Sequence, residues 1–265
     1  MKNITDSGPI GVFDSGIGGL PIAGKIRELL PGENLIYIAD TQHAPYGEKS
    51  EDYILQRSLA VTEFLLAQGA KAIVVACNTA TMVSIKILRE RFDVPFIGVE
   101  PGVKPAAIQT KSGVIGVLAT EKTLSSHAFD RLARRVAGNV QVEIQPSPKL
   151  VRLVENLELN SAQAFFAVEE YVQPLIEKGA DTIILGCTHF AHLAPVIETV
   201  AGPDISVIST ELAVAKEVVR RLRQQALLSV RNEGGEAVFY SNGEPALFDG
   251  QVRRLWGPDA LVRSF

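Results

Sequence analysis

The sequence predicts an α/β protein made of two pseudo-symmetric, doubly wound lobes with mainly parallel sheets and an active site between them. Three observations carry this expectation. Residues Gly69 to Thr79 read GAKAIVVACNT, and Gly179 to His189 read GADTIILGCTH. Each stretch opens on Gly-Ala, runs through a short apolar segment rich in β-branched residues, and reaches a cysteine followed at once by polar residues. These are the only two cysteines among the 265 residues. A second echo precedes each stretch: Ile10-Gly11-Val12 ahead of Asp14-Ser15, and Ile115-Gly116-Val117 ahead of Thr120. Finally, short apolar runs alternate with segments of helical period almost throughout, as strand–helix–strand units require. A short apolar run bounded by glycine reads as a strand buried on both faces. The polar residues after it then fall at the carboxyl end, where open parallel sheets take their ligands. Each half would offer one thiol to a shared cleft.

Taken in order, Ile10 to Phe13 is a strand and Asp14-Ser15-Gly16-Ile17-Gly18-Gly19 a tight turn. Helical period from about Leu20 to Leu30 stops at Pro31-Gly32. Leu35 to Ala39 is a strand, and Asp40 to Gly47 a loop. A long helix from about Ser50 to Gln68 leads into the first cysteine strand. Thr81 to Arg91 is helical, and Val94 to Val99 is a strand ending at Glu100-Pro101-Gly102. The second half restarts with a strand from Gly113 to Leu118, a helix from Leu124 to Val136 and a strand from Val140 to Ile144. The loop Pro146-Ser147-Pro148 leads into Leu150 to Leu157, and a helix from about Ser161 to Lys178 precedes the second cysteine strand. Ala194 to Val200 is helical and Ile205 to Ile208 a strand. A long amphipathic helix from Glu211 to Leu228, a strand from Ala237 to Tyr240 and a helix from about Pro245 to Leu255 follow. Lobe one is residues 1–100 plus 210–265, and lobe two is 101–209. No low-complexity linker separates them, so close crossings join the lobes.

Composition narrows the function. With 46% apolar residues the chain can bury one large core or two modest ones. A net charge of −4, a pI near 5.7 and the lack of any basic run argue against nucleic acid or acidic lipid as a partner. Residues 1–6 lack the apolar core of a signal peptide. The apolar runs stay far below the ~18 residues that suggest a membrane helix. The expectation is a cytoplasmic protein whose cysteines stay reduced, with a small-molecule partner and room for a homodimer.

The glycine-rich turn matches neither G-x-G-x-x-G spacing nor the P-loop. Its backbone amides could still hold a carboxylate, with Asp14 as acceptor or base. The cysteines say more. Both stand where a strand gives way to a helix, so following amides and the helix dipole would favour a thiolate at each. Zinc would need further ligands, and only His189 and His192 are near, without a C-x-x-C pair. A redox disulfide more often uses closely spaced cysteines. Nucleophilic catalysis uses one cysteine and leaves the other unexplained. Two opposed acid/base groups fit racemisation or epimerisation, in which a proton leaves one face of a carbon and another arrives opposite. A thiol pKa near ~8.5, lowered modestly, keeps both protonation states within reach at neutral pH.

The segments FDSGIGG (Phe13 to Gly19), APYG (Ala44 to Gly47), ACNTAT (Ala76 to Thr81) and LGCTHF (Leu185 to Phe190) closely resemble the glutamate racemase family. So does Leu153-Val154-Glu155 after its Pro-containing loop. The resemblance runs from about Ile10 to Leu255. It implies an enzyme without cofactor or metal that makes D-glutamate for bacterial peptidoglycan, with its site between two α/β lobes. It implies Cys77 as the thiol acting on the D-enantiomer and Cys187 as that acting on the L-enantiomer. Asp14, His189 and Glu155 match positions that poise the thiols. Ser15, Tyr46, Gly47, Asn78, Thr79, Thr120 and Thr188, with Asp14 and His189, match groups that hold substrate. Hydroxyls and amides of this kind bind an anion without a fixed cation beside a thiol. The chain departs from the family pattern at Ala191-His192-Leu193, at Lys149 and Arg152, and at Ile208-Ser209-Thr210. Few residues precede the first strand, so activation through an amino-terminal extension is not expected. Taken singly, Asp14 would cap a turn, Tyr46 would pack a loop and Glu155 would be a solvated helix charge. His43, His127 and His192 read as surface residues. A racemase of another small amino acid such as aspartate, and a non-catalytic two-lobe amino-acid binding protein, are the alternatives.

Overall fold

The computed structural model describes residues 7–136, 138 and 140–265, so the opening stretch read for a signal peptide lies outside the described residues. In chain order the elements are β1 (Ile10–Asp14), α1 (Leu20–Leu29), β2 (Leu35–Ala39), α2 (Glu51–Ala67), β3 (Ala72–Val75), α3 (Asn78–Arg91) and β4 (Phe96–Gly98). Next come α4 (Val103–Gln109), β5 (Val114–Ala119), α5 (Glu121–Leu124), α6 (His127–Arg134), β6 (Gln141–Pro146), α7 (Pro148–Glu155), α8 (Ala162–Glu177), β7 (Thr182–Leu185), α9 (Ala194–Ala201) and β8 (Ser206–Ile208). The last are α10 (Glu211–Gln224), β9 (Ala237–Ser241), α11 (Pro245–Leu255) and β10 (Leu261–Ser264). Two units result: one runs to Val99 and resumes over Glu211–Phe265, and the other is Glu100–Thr210.

Each unit is built on a fully parallel sheet, ordered β10-β9-β2-β1-β3-β4 in the first and β6-β5-β7-β8 in the second. The run β2-β1-β3-β4 therefore recurs as β6-β5-β7-β8. The registers agree as well. Phe13 pairs with Val75 and Leu118 with Leu185, and each cysteine lies two residues beyond its pair. The amide of Ala76 donates to the Phe13 carbonyl at 2.8 Å, and that of Gly186 to the Leu118 carbonyl at 2.7 Å. In both sheets the strand order reverses between the two strands concerned, which is where open α/β sheets bind ligands.

The echoing residues have physical causes. Ser50 and Ser161 cap α2 and α8, accepting from the amides of Tyr53 at 3.2 Å and Ala164 at 3.0 Å. The two helices also end alike. Gly69 and Gly179 take φ of +85° and +89°, a left-handed conformation that glycine adopts at least cost. The Ala70 and Ala180 amides reach back to the Leu65 and Leu175 carbonyls at 3.0 and 3.1 Å. This is the Schellman ending, and it turns the chain into β3 and β7. Gly11 and Gly116 serve packing: a Cβ there would meet Leu65 at 3.0 Å and Leu175 at 2.8 Å. Strand and helix approach closely because no side chain stands between them. On the first sheet Phe13, Ile38, Ile54, Leu65 and Val75 share one core, and on the second Ile115, Val117, Phe129 and Ile184 share another.

Several expectations shift. The helix expected from Leu124 to Val136 is two, α5 and α6, because Ser126 interrupts it: its hydroxyl donates to the Thr123 carbonyl and accepts from the Phe129 amide. Helix α3 starts three residues early, at Asn78, so Cys77 itself is its cap. No such helix follows Cys187, where Thr188–Leu193 winds as a tighter 3-10 turn before α9. Helix α10 stops at Gln224, short of the expected Leu228. No helix among the described residues is long and apolar enough to cross a membrane.

Candidate active site

The first half-site stands at the carboxyl ends of β1 and β3. Cys77 is buried, and its Sγ accepts from the Ala80 amide at 3.4 Å, taking the place a serine or threonine oxygen holds in an ordinary cap. A sulfur in that place faces the positive end of the 14-residue α3 and a donor that stabilises the thiolate. Its thiol lies 3.9 Å from the Ser15 hydroxyl. Asp14 ends β1 fully buried, and its Oδ2 accepts from the Gly19 amide at 2.9 Å. The same amide donates to the Tyr37 hydroxyl at 3.1 Å, and that hydroxyl donates to the Gly16 carbonyl at 2.7 Å. Tyr37 thus pins both ends of the glycine-rich turn beside Asp14. Asn78 and Thr79 are buried in the first turn of α3, and the Asn78 amide donates to the Val99 carbonyl at 3.2 Å.

Tyr46 and Gly47 sit in a 3-10 turn after β2. The Tyr46 hydroxyl donates to Asp40 Oδ2 at 2.5 Å. Burial, then the Asp40 charge, push the phenol pKa far up, so it stays protonated and committed to that carboxylate. Asp40 is fully buried, and the Arg57 guanidinium and the Asn242 amide also hold it. Sequence reasoning named Tyr46 but missed Asp40, Arg57, Asn242 and Tyr37. Asp40 stood in a polar loop and Arg57 among the polar residues of a long helix, and neither residue type signals a buried partner.

In the second unit Cys187, Thr188, His189 and Phe190 are buried at the end of β7. His189 bridges two expected residues: Nδ1 lies 3.7 Å from Cys187 Sγ and Nε2 lies 2.5 Å from Glu155 Oε1 at the end of α7. Burial works against a charge on this ring. The hydrogen bonds to Cys187 and Glu155 and the charge of Glu155 outweigh it, raising the His189 pKa well above the usual histidine value. Glu155 lies within hydrogen-bond reach of the ring on the side away from Cys187, where it balances the charge of a protonated His189. Thr188 Oγ1 is buried and makes no hydrogen bond within the described chain, a costly state for a hydroxyl that a ligand atom would relieve. Thr120 caps α5 after β5, accepting from the Thr123 amide at 3.2 Å. The expectation that a helix dipole serves both thiols holds for Cys77 only; Cys187 has a histidine–carboxylate pair instead.

Among the described residues no group of three or more His, Cys, Asp or Glu is arranged to hold a metal. A cavity of about 850 Å³ lies elsewhere in the second unit, lined by Lys111, Asp181, Glu198 and Ser206 among others. Asp181 and Ser206 precede or open β7 and β8, so this cavity is at the amino ends of the strands, away from the Cys187 end.

Comparison with known proteins places this geometry in context. The chain is 49% identical over 248 residues, 94% of its own length and 92% of the relative's, to a glutamate racemase of Methylococcus capsulatus. The crystal structure of a glutamate racemase isoform from Bacillus anthracis matches with a TM-score of 0.90 at 32% identity, covering 98% of each chain. That of Escherichia coli glutamate racemase, in complex with L-glutamate and the activator UDP-MurNAc-ala, matches with a TM-score of 0.86 at 30% identity, covering 97% of this chain and 98% of that one. The family model for Asp/Glu/hydantoin racemases matches residues 22–218, and with the duplicated parallel sheets and the thiol at the end of each, the chain belongs to that family.

Proposed function

We propose that the protein interconverts L- and D-glutamate by a two-base proton transfer through Cys77 and Cys187, supplying D-glutamate for peptidoglycan in the cytoplasm. The observation that carries this reading is the register: two buried cysteines occupy equivalent places at the switch points of two duplicated sheets. One thiolate takes the α-proton of a bound enantiomer, leaving a planar carbanion with its electron pair on the α-carbon. The other thiol delivers a proton to the opposite face and becomes the thiolate for the return reaction. Both half-sites must then act on one substrate carbon.

Asp14 supports Cys77 from the neighbouring strand. The Glu155–His189 pair supports Cys187, because an imidazolium Nδ1–H can donate to a thiolate or give up its proton as the sulfur loses its own. Ser15, Asn78 and Thr79 in one unit and Thr120 and Thr188 in the other supply hydroxyls and an amide for the substrate's carboxylates and ammonium. The Tyr46 hydroxyl is committed as a hydrogen-bond donor to Asp40, so the turn it shares with Gly47 serves an anion through backbone amides. The similarity to glutamate racemases over nearly the full chain favours glutamate over aspartate.

The test is L-glutamate in D2O, following optical rotation together with exchange of the α-hydrogen. Wild-type protein should lose rotation and incorporate deuterium, far faster than with L-aspartate. Cys77→Ala and Cys187→Ala should each lose racemisation by at least about 10²-fold while keeping their fold, since a general acid or base contributes ~10²–10⁴. A Cys187→Ala protein that racemises near the wild-type rate would sink the two-base mechanism, and an unexchanged α-hydrogen in wild type would sink the function.

A further inference from the structure

One buried charge cluster in the first unit has no part in the proton transfer. The Asp40 carboxylate follows β2 and is fully buried. Four donors converge on it: Arg57 Nε at 3.0 Å and Nη2 at 2.7 Å, the Tyr46 hydroxyl at 2.5 Å and Asn242 Nδ2 at 2.5 Å. They come from three segments: the turn after β2, the α2 that follows it, and, about two hundred residues on, the turn after β9. The Asn242 amide oxygen in turn accepts from the Gln42 amide at 3.0 Å, and the Thr41 and Ser241 hydroxyls bond to each other. Gly243 leaves room for this seam, since a Cβ there would strike Thr41 Oγ1. A buried carboxylate repays its desolvation only when its partners are held in good geometry, which makes such a network stiff. Arg57 is bidentate, so it fixes the plane of the carboxylate as well as its position.

We propose that Asp40 is a positioning residue: clamped by Arg57 and Asn242, it holds the Tyr46 phenol and thereby sets the Tyr46–Gly47 turn to receive a substrate carboxylate on its backbone amides. This rests on the glutamate reading given above. It makes Asn242, in the turn between β9 and α11, part of the substrate site through two intermediaries. Asp40 itself moves no proton. Its loss should weaken the binding of both enantiomers alike and leave the thiol chemistry in place.

Asp40→Asn and Asn242→Ala provide the test, each compared with wild type in two measurements. Steady-state racemisation should show KM raised by about 10-fold for L- and D-glutamate together, with kcat within about threefold, the pattern of lost uniform binding. Hydrogen exchange in the substrate-free protein should quicken by at least about tenfold over residues 41–49 and stay unchanged in β1 and β3. Asn242 is half-buried at a loop and its replacement leaves Arg57 on Asp40, so this variant decides the matter if Asp40→Asn fails to fold. Wild-type KM in a folded variant, a fall in kcat at unchanged KM, or unchanged exchange over 41–49 would each overturn the proposal. If wild type does not racemise glutamate, the functional reading falls, and the exchange measurement still judges the clamp.

Discussion

At the residue scale the two half-sites share a frame and differ in what supports the sulfur. Alignment by register puts Ser15 opposite Thr120 and Asp14 opposite Ala119, so the first unit's acid has no counterpart in the second. The second unit brings Glu155 from α7 through His189 instead. The equilibrium constant between enantiomers is one, so kcat/KM must be equal in the two directions for every variant. What can differ is which proton transfer limits the rate. Asp14→Asn and His189→Asn should therefore shift the primary isotope effects on α-deuterated D- and L-glutamate in opposite senses, and the same pattern in both would refute the division. His189 also has a stability signature. Its folded pKa is raised, so its contribution is fully present below the unfolded value near ~6.5 and is lost as pH rises through the folded value. Urea midpoints of wild type and His189→Asn should differ most near pH 6 and converge as pH climbs; a gap that widens with pH would contradict the imidazolium. The cysteines, Asp14 and His189 were legible because each sits beside a repeated pattern. The Asp40 cluster was not, since its members are scattered across the chain and only tertiary folding gathers them.

At the element scale, what the sequence announced was what local chemistry dictates. Ser50 and Ser161 begin helices and Gly69 and Gly179 end them, so α2, α8 and the strands after them were readable within a residue or two. Short or tertiary-dependent elements were not. Helix α4 has seven residues with Pro105 near its start, and β10 is a half-polar strand at the sheet's rim that exists only because β9 is there to pair with it. The 3-10 turn after Cys187 escaped notice because the echo with Cys77 promised an α-helix. The packing glycines give an element-scale prediction. Gly116→Ala should cost about 1–3 kcal/mol, as overpacking does, because its Cβ would lie 2.8 Å from Leu175. Gly11→Ala should cost less, its contact with Leu65 being 3.0 Å. Gly24→Ala on α1, with nothing within 4 Å, should be neutral or stabilising by up to about 1 kcal/mol. Denaturant midpoints order the three, and a Gly116→Ala protein as stable as Gly24→Ala would show that α8 lies less tightly on β5 than described.

At the scale of the whole molecule the second unit is one continuous stretch set inside the first. It has its own four-stranded sheet and its own core. A fragment spanning residues 100–210 should therefore unfold cooperatively in urea, whereas a fragment ending at residue 99 should not; a fragment 100–210 without a cooperative transition would refute its independence. The nesting matters most while the chain is being made. The ribosome releases β1 to β4 first, yet β2 lacks its outer neighbour until β9 emerges, after the whole second unit and α10. For most of translation β2 presents an unpaired, charge-free and largely apolar edge, the kind of strand that recruits other chains. A transcript cut short after the second unit would thus yield not a half-working enzyme but a nascent chain primed to aggregate, and the segment that carries β9 acts as the strand's protective cover.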